Sequence, residues 1–262
     1  MELVHDRSGS GEPLVLLHGL GHNRRAWRAL IPELTIHRDV VVPDLPGHGD
    51  SPDLPDRSGD YRVFADAIEH FMASQGLDRP HVAGNSLGGL IALELAARGS
   101  VRTATALSPI GFWNRSERAY SHGALRAASR LSAAIPAATQ NRVLNNPTGR
   151  AVLVGLIFGR PSRHDRAELL TELVALGHPR EAFLGVLGTP NDYRPVTRPA
   201  VPLTIGWGTR DLLLPRRQSR RLLRVLPQAR VFPLPGCGHV PMADDPDTVA
   251  ELILAGSATV CA

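Results

Sequence analysis

One serine, Ser86, has the neighbours that a strained nucleophile requires. It lies between Gly84 and Gly88, after an apolar run that predicts a strand and before an apolar run that predicts a helix. A serine held in a sharp strand-to-helix turn needs residues without a Cβ two positions away on either side. The amino end of the helix would direct free amides to the same point and favour an anion there. The spacing therefore predicts that Ser86 is a nucleophile.

A serine hydroxyl needs a general base, and the base needs a group that orients it. Asp211 ends a glycine-containing loop after a predicted strand, and His239 lies in a glycine-containing loop after the last predicted strand. Segment 107–113, which includes the end of another predicted strand, carries no carboxylate that could replace Asp211. We therefore predict a catalytic triad of Ser86, Asp211 and His239, in that chain order.

Other reactive residues lack this context. His18 and His48 stand beside glycines in early loops and are interpreted as structural. Cys237, two residues before His239, is interpreted as a loop residue and not as a nucleophile. Three acidic residues near the last predicted helix are interpreted as helix-start residues favoured by the helix dipole: Asp244, Asp245 and Asp247.

Apolar runs of strand length alternate with amphipathic runs of helix length, a pattern typical of a parallel sheet covered by helices. The predicted strands are residues 13–18, 39–43, 80–84, 102–107, 202–207 and 229–232. The predicted helices are residues 23–34, 61–75, 87–97 and 247–255. Open sheets of this kind bind ligands at the carboxyl ends of their strands, so we expect the site there.

The alternation stops between residues 112 and 198, where only helical patterns occur. Four prolines are expected to interrupt these helices: Pro136, Pro147, Pro161 and Pro179. We predict a core domain of residues 1–111 and 199–262, with residues 112–198 forming a helical cap over the site.

The composition, 43% hydrophobic and 21% charged, is that of a soluble globular protein. All 29 basic residues are Arg, which excludes lysine nucleophiles and Schiff bases. A net charge of +4 does not indicate a nucleic-acid partner, and the arginine-rich stretch 216–224 is interpreted as a solvated helix face. Two cysteines alone make neither a disulfide framework nor a metal site. Neither a secretory signal nor a membrane-length apolar run is evident, so we expect a cytoplasmic protein.

Five segments, in chain order, resemble motifs of the α/β-hydrolase superfamily. They are residues 18–21, 44–51, 84–88, 208–211 and 238–239. The resemblance implies an α/β fold with a mostly parallel, doubly wound sheet and a helical cap inserted between core strands 6 and 7. It also implies that the backbone amides of Leu20 and Leu87 form an oxyanion hole.

The resemblance implies hydrolysis of a carboxylic ester or related acyl compound through an acyl-enzyme, as in carboxylesterases, without a metal or cofactor. The serine argues against the haloalkane dehalogenase and epoxide hydrolase branches, which use an aspartate. The absence of Lys argues against the hydroxynitrile lyase branch. The elbow is also similar to that of C–C hydrolases of diketone or ring-fission substrates, which is the alternative function. A receptor or a non-hydrolytic biosynthetic catalyst on the same fold is the alternative from another class.

Four aromatic residues are candidates for the wall of a substrate pocket: Trp27, Phe112, Trp113 and Phe158. Segment 153–158 is too apolar for an exposed insertion, so we expect it to cover core or line a pocket. The expected partner is a small, apolar, ester-like molecule, with neither nucleic acid nor a membrane span involved. The oligomeric state stays open.

Overall fold

The computed structural model describes residues 2–54 and 59–258, and its core is a seven-stranded sheet. The strands are β1 (His5–Gly9), β2 (Pro13–Leu17), β3 (Asp39–Pro43), β4 (His81–Asn85), β5 (Thr103–Leu107), β6 (Leu203–Gly208) and β7 (Arg230–Leu234). Their order in the sheet is β1-β3-β2-β4-β5-β6-β7. β1 pairs with β3 antiparallel, and the other five pairs are parallel.

Helices cover both faces of this sheet. Those before the insertion are α1 (Ile31–Leu34), α2 (Tyr61–Ser74) and α3 (Leu87–Arg98). Those of the insertion are α4 (Arg115–Ala134), α5 (Ala137–Val143), α6 (Pro147–Val154), α7 (Arg166–Gly177) and α8 (Glu181–Gly188). Those after it are α9 (Ser219–Val225), α10 (Pro241–Asp244) and α11 (Pro246–Gly256). Within the described residues, a helix with both the length and the apolarity needed to cross a membrane is not found.

The α/β fold class is confirmed, with two local differences from the prediction. β1 was not predicted, because His5–Gly9 is mostly polar and exposed and pairs only at the sheet edge. The predicted helix over residues 23–34 is instead a short 3₁₀ helix, Arg24–Trp27, followed by α1. Pro32 explains the break: it lacks the amide that a continuous helix would use, and it suits the first turn of a new one.

The insertion lies between β5 and β6, the fifth and sixth of this sheet's seven strands, and not between the sixth and seventh as predicted. Three of its prolines stand where a helix begins, as predicted. Pro136 precedes α5, Pro147 is the first residue of α6, and Pro161 opens a 3₁₀ helix. Pro179 lies between α7 and α8.

The sheet is buried on both faces, as parallel sheets usually are. In β2, Val15 and Leu17 face one apolar cluster with α2 and α3. Leu14 and Leu16 face the other cluster, which also holds Trp27. The strand period of two thus explains why β2 reads as a continuous apolar run.

β4 and α3 approach each other too closely for side chains at the turn that joins them. A Cβ on Gly84 would lie 2.1 Å from the carbonyl oxygen of Gly88. A Cβ on Gly88 would lie 2.2 Å from the carbonyl oxygen of Leu17 in the neighbouring strand. Any residue with a Cβ at either position would collide with neighbouring backbone, so both positions require glycine.

Replacing Gly88 with Ala should destabilise the protein by about 1–3 kcal/mol, because backbone must shift to admit the methyl group. Gly123→Ala is a matched control, since nothing lies within 4 Å of the position of its Cβ in α4. There alanine should stabilise the helix by about 0.5–1 kcal/mol. Urea unfolding measures both changes, and equal unfolding midpoints would contradict the close approach.

Candidate active site

Four loops meet at the carboxyl edge of the sheet. They follow β2, β4, β6 and β7, and they carry the residues predicted from the sequence. Because parallel strands bring their carboxyl ends to one edge, residues far apart in the chain become neighbours there.

Ser86 occupies the strained turn between β4 and α3. Its φ of 55° and ψ of −112° are a conformation that non-glycine residues rarely adopt, which costs of order 1–3 kcal/mol. The Ser86 amide donates to the carbonyl oxygen of Leu107 at 2.9 Å, which anchors the turn to β5. Ser86 is the residue immediately before α3, so it lies at the helix end where the first backbone amides have no partner within the helix.

Asp211 and His239 form a buried pair. His239 Nδ1 lies 3.0 Å from Asp211 Oδ2. The other carboxylate oxygen accepts from the amides of Leu213 and Leu214, at 3.0 and 2.7 Å. These amides hold the carboxylate in place, so it can orient the imidazole with its Nε2 directed away from Asp211.

The side chain of Asn85 connects the turn at Ser86 to the loop of His239 by a hydrogen bond. Its buried side-chain amide donates to the carbonyl oxygen of His239 at 2.9 Å and to that of Leu107 at 3.1 Å. The hydrogen bonds between described residues do not include one from Ser86 Oγ to His239, so that contact stays a prediction. Sequence reasoning did not assign a role to Asn85.

The two predicted oxyanion amides lie in different segments, that of Leu20 in the loop after β2 and that of Leu87 at the start of α3, and both are free. Neither the Leu20 nor the Leu87 amide donates to another group in the described part of the chain. The preceding Gly19 packs against Ser86, since a Cβ there would lie 3.2 Å from Ser86 Cβ. The loop after β2 therefore borders Ser86, and its use as an oxyanion hole stays a prediction.

Two histidines support that loop and are neutral. The His18 ring donates from Nδ1 to the Gly19 carbonyl at 2.8 Å and accepts at Nε2 from the Leu45 amide at 2.9 Å. Burial, and then the neighbouring His48, hold the pKa of His18 well below its usual range. Burial likewise lowers the pKa of His48 to about 4. These contacts agree with the structural interpretation of both residues.

A narrow cavity of about 20 Å³, room for about one water molecule, opens onto Ser86. Its walls come from the core loops and from helices α4 and α8 of the insertion. The lining residues are Leu20, Ser86, Ile110, Trp113, Ser121, His122, Leu125, Val186, Leu187, Leu213 and Leu214. Of the four predicted aromatic residues, only Trp113 is among them. The sequence carried no signal for His122, which lies in this wall with its ring 5.3 Å from that of Trp113.

The other three aromatic candidates lie elsewhere, which corrects the predicted pocket. Trp27 is fully buried in the core beneath β2 and β3. Phe112 is buried against Tyr193, with 5.5 Å between ring centroids. Phe158 lines a separate, more open groove of about 680 Å³ between α7 and the segment 22–29. Segment 153–158 covers core, as expected, because its apolar side chains pack against both hydrophobic clusters that flank the sheet.

Three other interpretations can be compared with the structure. Burial raises the pKa of Cys237 to about 11, so its thiol is protonated, in agreement with a loop role. Asp245 and Asp247 lie at the start of α11, as predicted, whereas the buried carboxylate of Asp244 accepts hydrogen bonds from two loops. The arginine stretch is not wholly solvated: Arg217 and Arg221 pair with the buried carboxylate of Glu117 at the start of α4.

Residues 14–252 match the alpha/beta hydrolase family. This segment covers most of the chain, and the chain belongs to that family. The predicted α/β-hydrolase fold and the assignment to an enzyme family are confirmed by the match.

Two relatives carry the name pimeloyl-[acyl-carrier protein] methyl ester esterase. The one from Aromatoleum aromaticum is 34% identical over 92% of this chain and 96% of its own length. The one from Chromobacterium violaceum is 30% identical over 96% of this chain and 97% of its own length. Among solved structures, 2-hydroxy-6-oxo-6-phenylhexa-2,4-dienoate hydrolase from Rhodococcus sp. has a TM-score of 0.72 at 21% identity. The superposition covers 97% of this chain and 98% of the Rhodococcus chain, and this similarity concerns the fold alone.

His48 should make the protein less stable in acid. The folded-state pKa, about 4, lies below the ordinary value of 6.5, so the unfolded chain takes up a proton first as the pH falls. The stability from the neutral ring is present above pH 6.5 and is progressively lost toward pH 4, by about 3 kcal/mol. Urea unfolding of wild type and His48→Gln at pH 7 and pH 4 measures this. An equal loss in both proteins would contradict the assignment.

Proposed function

We propose that this protein is a serine hydrolase that cleaves carboxylic esters through an acyl-enzyme, with Ser86, His239 and Asp211 as its triad. The observation that carries the proposal is the buried Asp211–His239 hydrogen bond at the same sheet edge as Ser86 in its strained turn. Asn85, which bonds to the His239 carbonyl, links these two parts. The esterase relatives support the ester as the bond that is cleaved.

In the proposed reaction, Ser86 Oγ attacks the ester carbonyl carbon while His239 Nε2 takes the hydroxyl proton. Asp211 holds the Nδ1–H tautomer and stabilises the imidazolium that forms. The carbonyl oxygen becomes an oxyanion that accepts hydrogen bonds from the Leu20 and Leu87 amides. His239 then gives its proton to the leaving alcohol. A water, deprotonated by His239, releases the acid and restores the serine.

The cavity at Ser86 supports a small, apolar acyl group. Most of its lining is aliphatic or aromatic, and the hydroxyl of Ser121 is already bonded to the carbonyl oxygens of Glu117 and Leu213. At about 20 Å³, room for about one water molecule, the cavity admits an acyl group only when lining side chains move, and a small group needs the least movement. A larger acyl group therefore requires displacement of Trp113 or of α8.

Ester hydrolysis is favoured over C–C hydrolysis by the lining as well as by the relatives. The similar C–C hydrolase is named for a dienoate, which carries a carboxylate. None of the described residues lining the cavity at Ser86 is an arginine that could pair with one. A receptor would not need the buried Asp211–His239 pair.

Removing the triad should remove the activity. Ser86→Ala and His239→Ala should abolish p-nitrophenyl ester turnover, and Ser86→Ala should also abolish labelling by a fluorophosphonate. Asp211→Asn should lower kcat by about 10⁴, because an amide cannot hold the imidazole in the required tautomer. Cys237→Ala is the control for the other nucleophilic side chain of the histidine loop and should retain turnover. Fluorophosphonate labelling that persists in Ser86→Ala would overturn the proposed nucleophile.

Trp113 should set the accepted acyl length. Trp113→Ala enlarges the cavity, so kcat/KM for butyrate relative to acetate esters should rise by about 10-fold or more. Phe158→Ala is the matched control, because Phe158 lines the separate groove and should leave that ratio unchanged. A series of p-nitrophenyl esters measures both ratios. A ratio that is indifferent to Trp113, or that responds equally to Phe158, would contradict the pocket assignment.

A further inference from the structure

A second buried carboxylate, outside the triad, contacts the loop of the catalytic histidine. The side chain of Asp244 is fully buried. Its Oδ2 accepts from the amide of Gly238, the residue before His239, at 2.7 Å. The same oxygen accepts from the amide of Gly159 in the insertion at 2.8 Å.

The other oxygen of Asp244 is bonded to the insertion alone. Oδ1 accepts from the Arg160 amide at 2.8 Å and lies 3.2 Å from His164 Nε2. Four donors thus use the acceptor sites that a carboxylate offers. Although burial opposes ionisation, the hydrogen bonds from His164, Gly238, Gly159 and Arg160 keep the pKa of Asp244 below its usual range. Asp244 is therefore an anion that accepts from both loops at neutral pH.

The two loops that share Asp244 are also joined backbone to backbone. We call residues 157–160 the docking segment of the insertion. The His239 amide donates to the Ile157 carbonyl at 2.7 Å. A Cβ on Gly159 would lie 2.4 Å from the carbonyl oxygen of Gly236, and one on Gly238 would lie 2.5 Å from the Gly159 amide nitrogen. The docking segment and the histidine loop are therefore in direct contact, with no room for side chains between them.

His239 is consequently held from three directions. Asp211 holds its ring, Asn85 bonds to its carbonyl oxygen, and the docking segment bonds to its amide. The first two contacts come from the core, and the third comes from the insertion. Asp244 adds a shared side-chain acceptor between the docking segment and the histidine loop, beside the bond from Arg160 Nη2 to the Pro235 carbonyl at 2.7 Å.

We propose that Asp244 is a positioning residue for the general base, which couples the placement of His239 to the docking of the insertion on the core. The proposal rests on the function proposed above, since it gives His239 a catalytic role. In this view the histidine loop keeps its geometry only while residues 157–160 are docked. Loss of the carboxylate then affects the chemical step more than the binding of substrate.

Asp244→Asn tests the proposal with a change of few atoms. Its NH2 group would face amide donors, so part of the shared hydrogen-bond set is lost. Asp245→Asn is the matched control: Asp245 Oδ2 also binds the insertion, through Arg160 Nη1 at 2.8 Å. Among the described residues, however, the histidine loop donates no hydrogen bond to Asp245. Asp244→Asn should lower kcat and the rate of fluorophosphonate labelling by about 10²-fold while KM changes little, as expected for a displaced base. Asp245→Asn should retain both rates.

A spectroscopic readout separates positioning from general stability. The proton on His239 Nδ1, shared with Asp211, should give a far-downfield proton resonance in wild type and in Asp245→Asn. In Asp244→Asn this resonance should broaden or vanish although the protein remains folded. A wild-type resonance and a wild-type labelling rate in Asp244→Asn would overturn the proposal.

If Asp244→Asn does not fold, hydrogen exchange of the wild-type protein tests the coupling of the two loops. The amides of Gly159, Arg160 and Gly238 share one acceptor, so they should exchange through one common opening with equal protection. Independent exchange of Gly238 would overturn the coupling. If wild-type protein is not labelled at Ser86, the proposed function fails, and this exchange measurement alone then decides whether the loops are coupled.

Discussion

Between β4 and α3 the backbone turns so sharply that Ser86 takes a positive φ and the flanking glycines touch neighbouring backbone. The turn costs conformational energy, which the surrounding structure must offset. It does so with the Ser86 amide bonded to the Leu107 carbonyl and with an apolar helix, α3, that is buried almost throughout. The other loops of the site are placed relative to this turn. Gly19 packs on Ser86 from one side, and Asn85 reaches the His239 carbonyl on the other.

The insertion lines the cavity at Ser86 and also forms hydrogen bonds with the loops of Asp211 and His239. Ser121 and Tyr120 of α4 donate to carbonyl oxygens in the loop of Asp211, at 2.8 and 3.0 Å. Residues 157–160 pair with the loop of His239. The loops of Asp211 and His239 are thus each bonded to the insertion, the first through α4 and the second through residues 157–160.

Much of the fold followed from patterns within short segments. Six of the seven strands, helices α2, α3 and α11, and the helical nature of residues 112–198 were predicted, because apolar periodicity records which faces are buried. β1 was not predicted, since an exposed, polar edge strand has no such periodicity. The break before α1 was also missed, although Pro32 offered a signal for it.

The sequence by itself determined the strained turn at Ser86 and the loops that carry Asp211 and His239, because their requirements are local: glycines at fixed spacing and loops after apolar strands. Only the tertiary structure decided which distant residues meet. Trp27 lies in the core and not in a pocket. The pairing of Glu117 with Arg221 of α9 and the role of Asp244 as a shared acceptor have no local signature in the sequence. The role of a buried carboxylate depends on the groups that donate hydrogen bonds to it. Those donors are brought together by the packing of segments that are far apart in the chain.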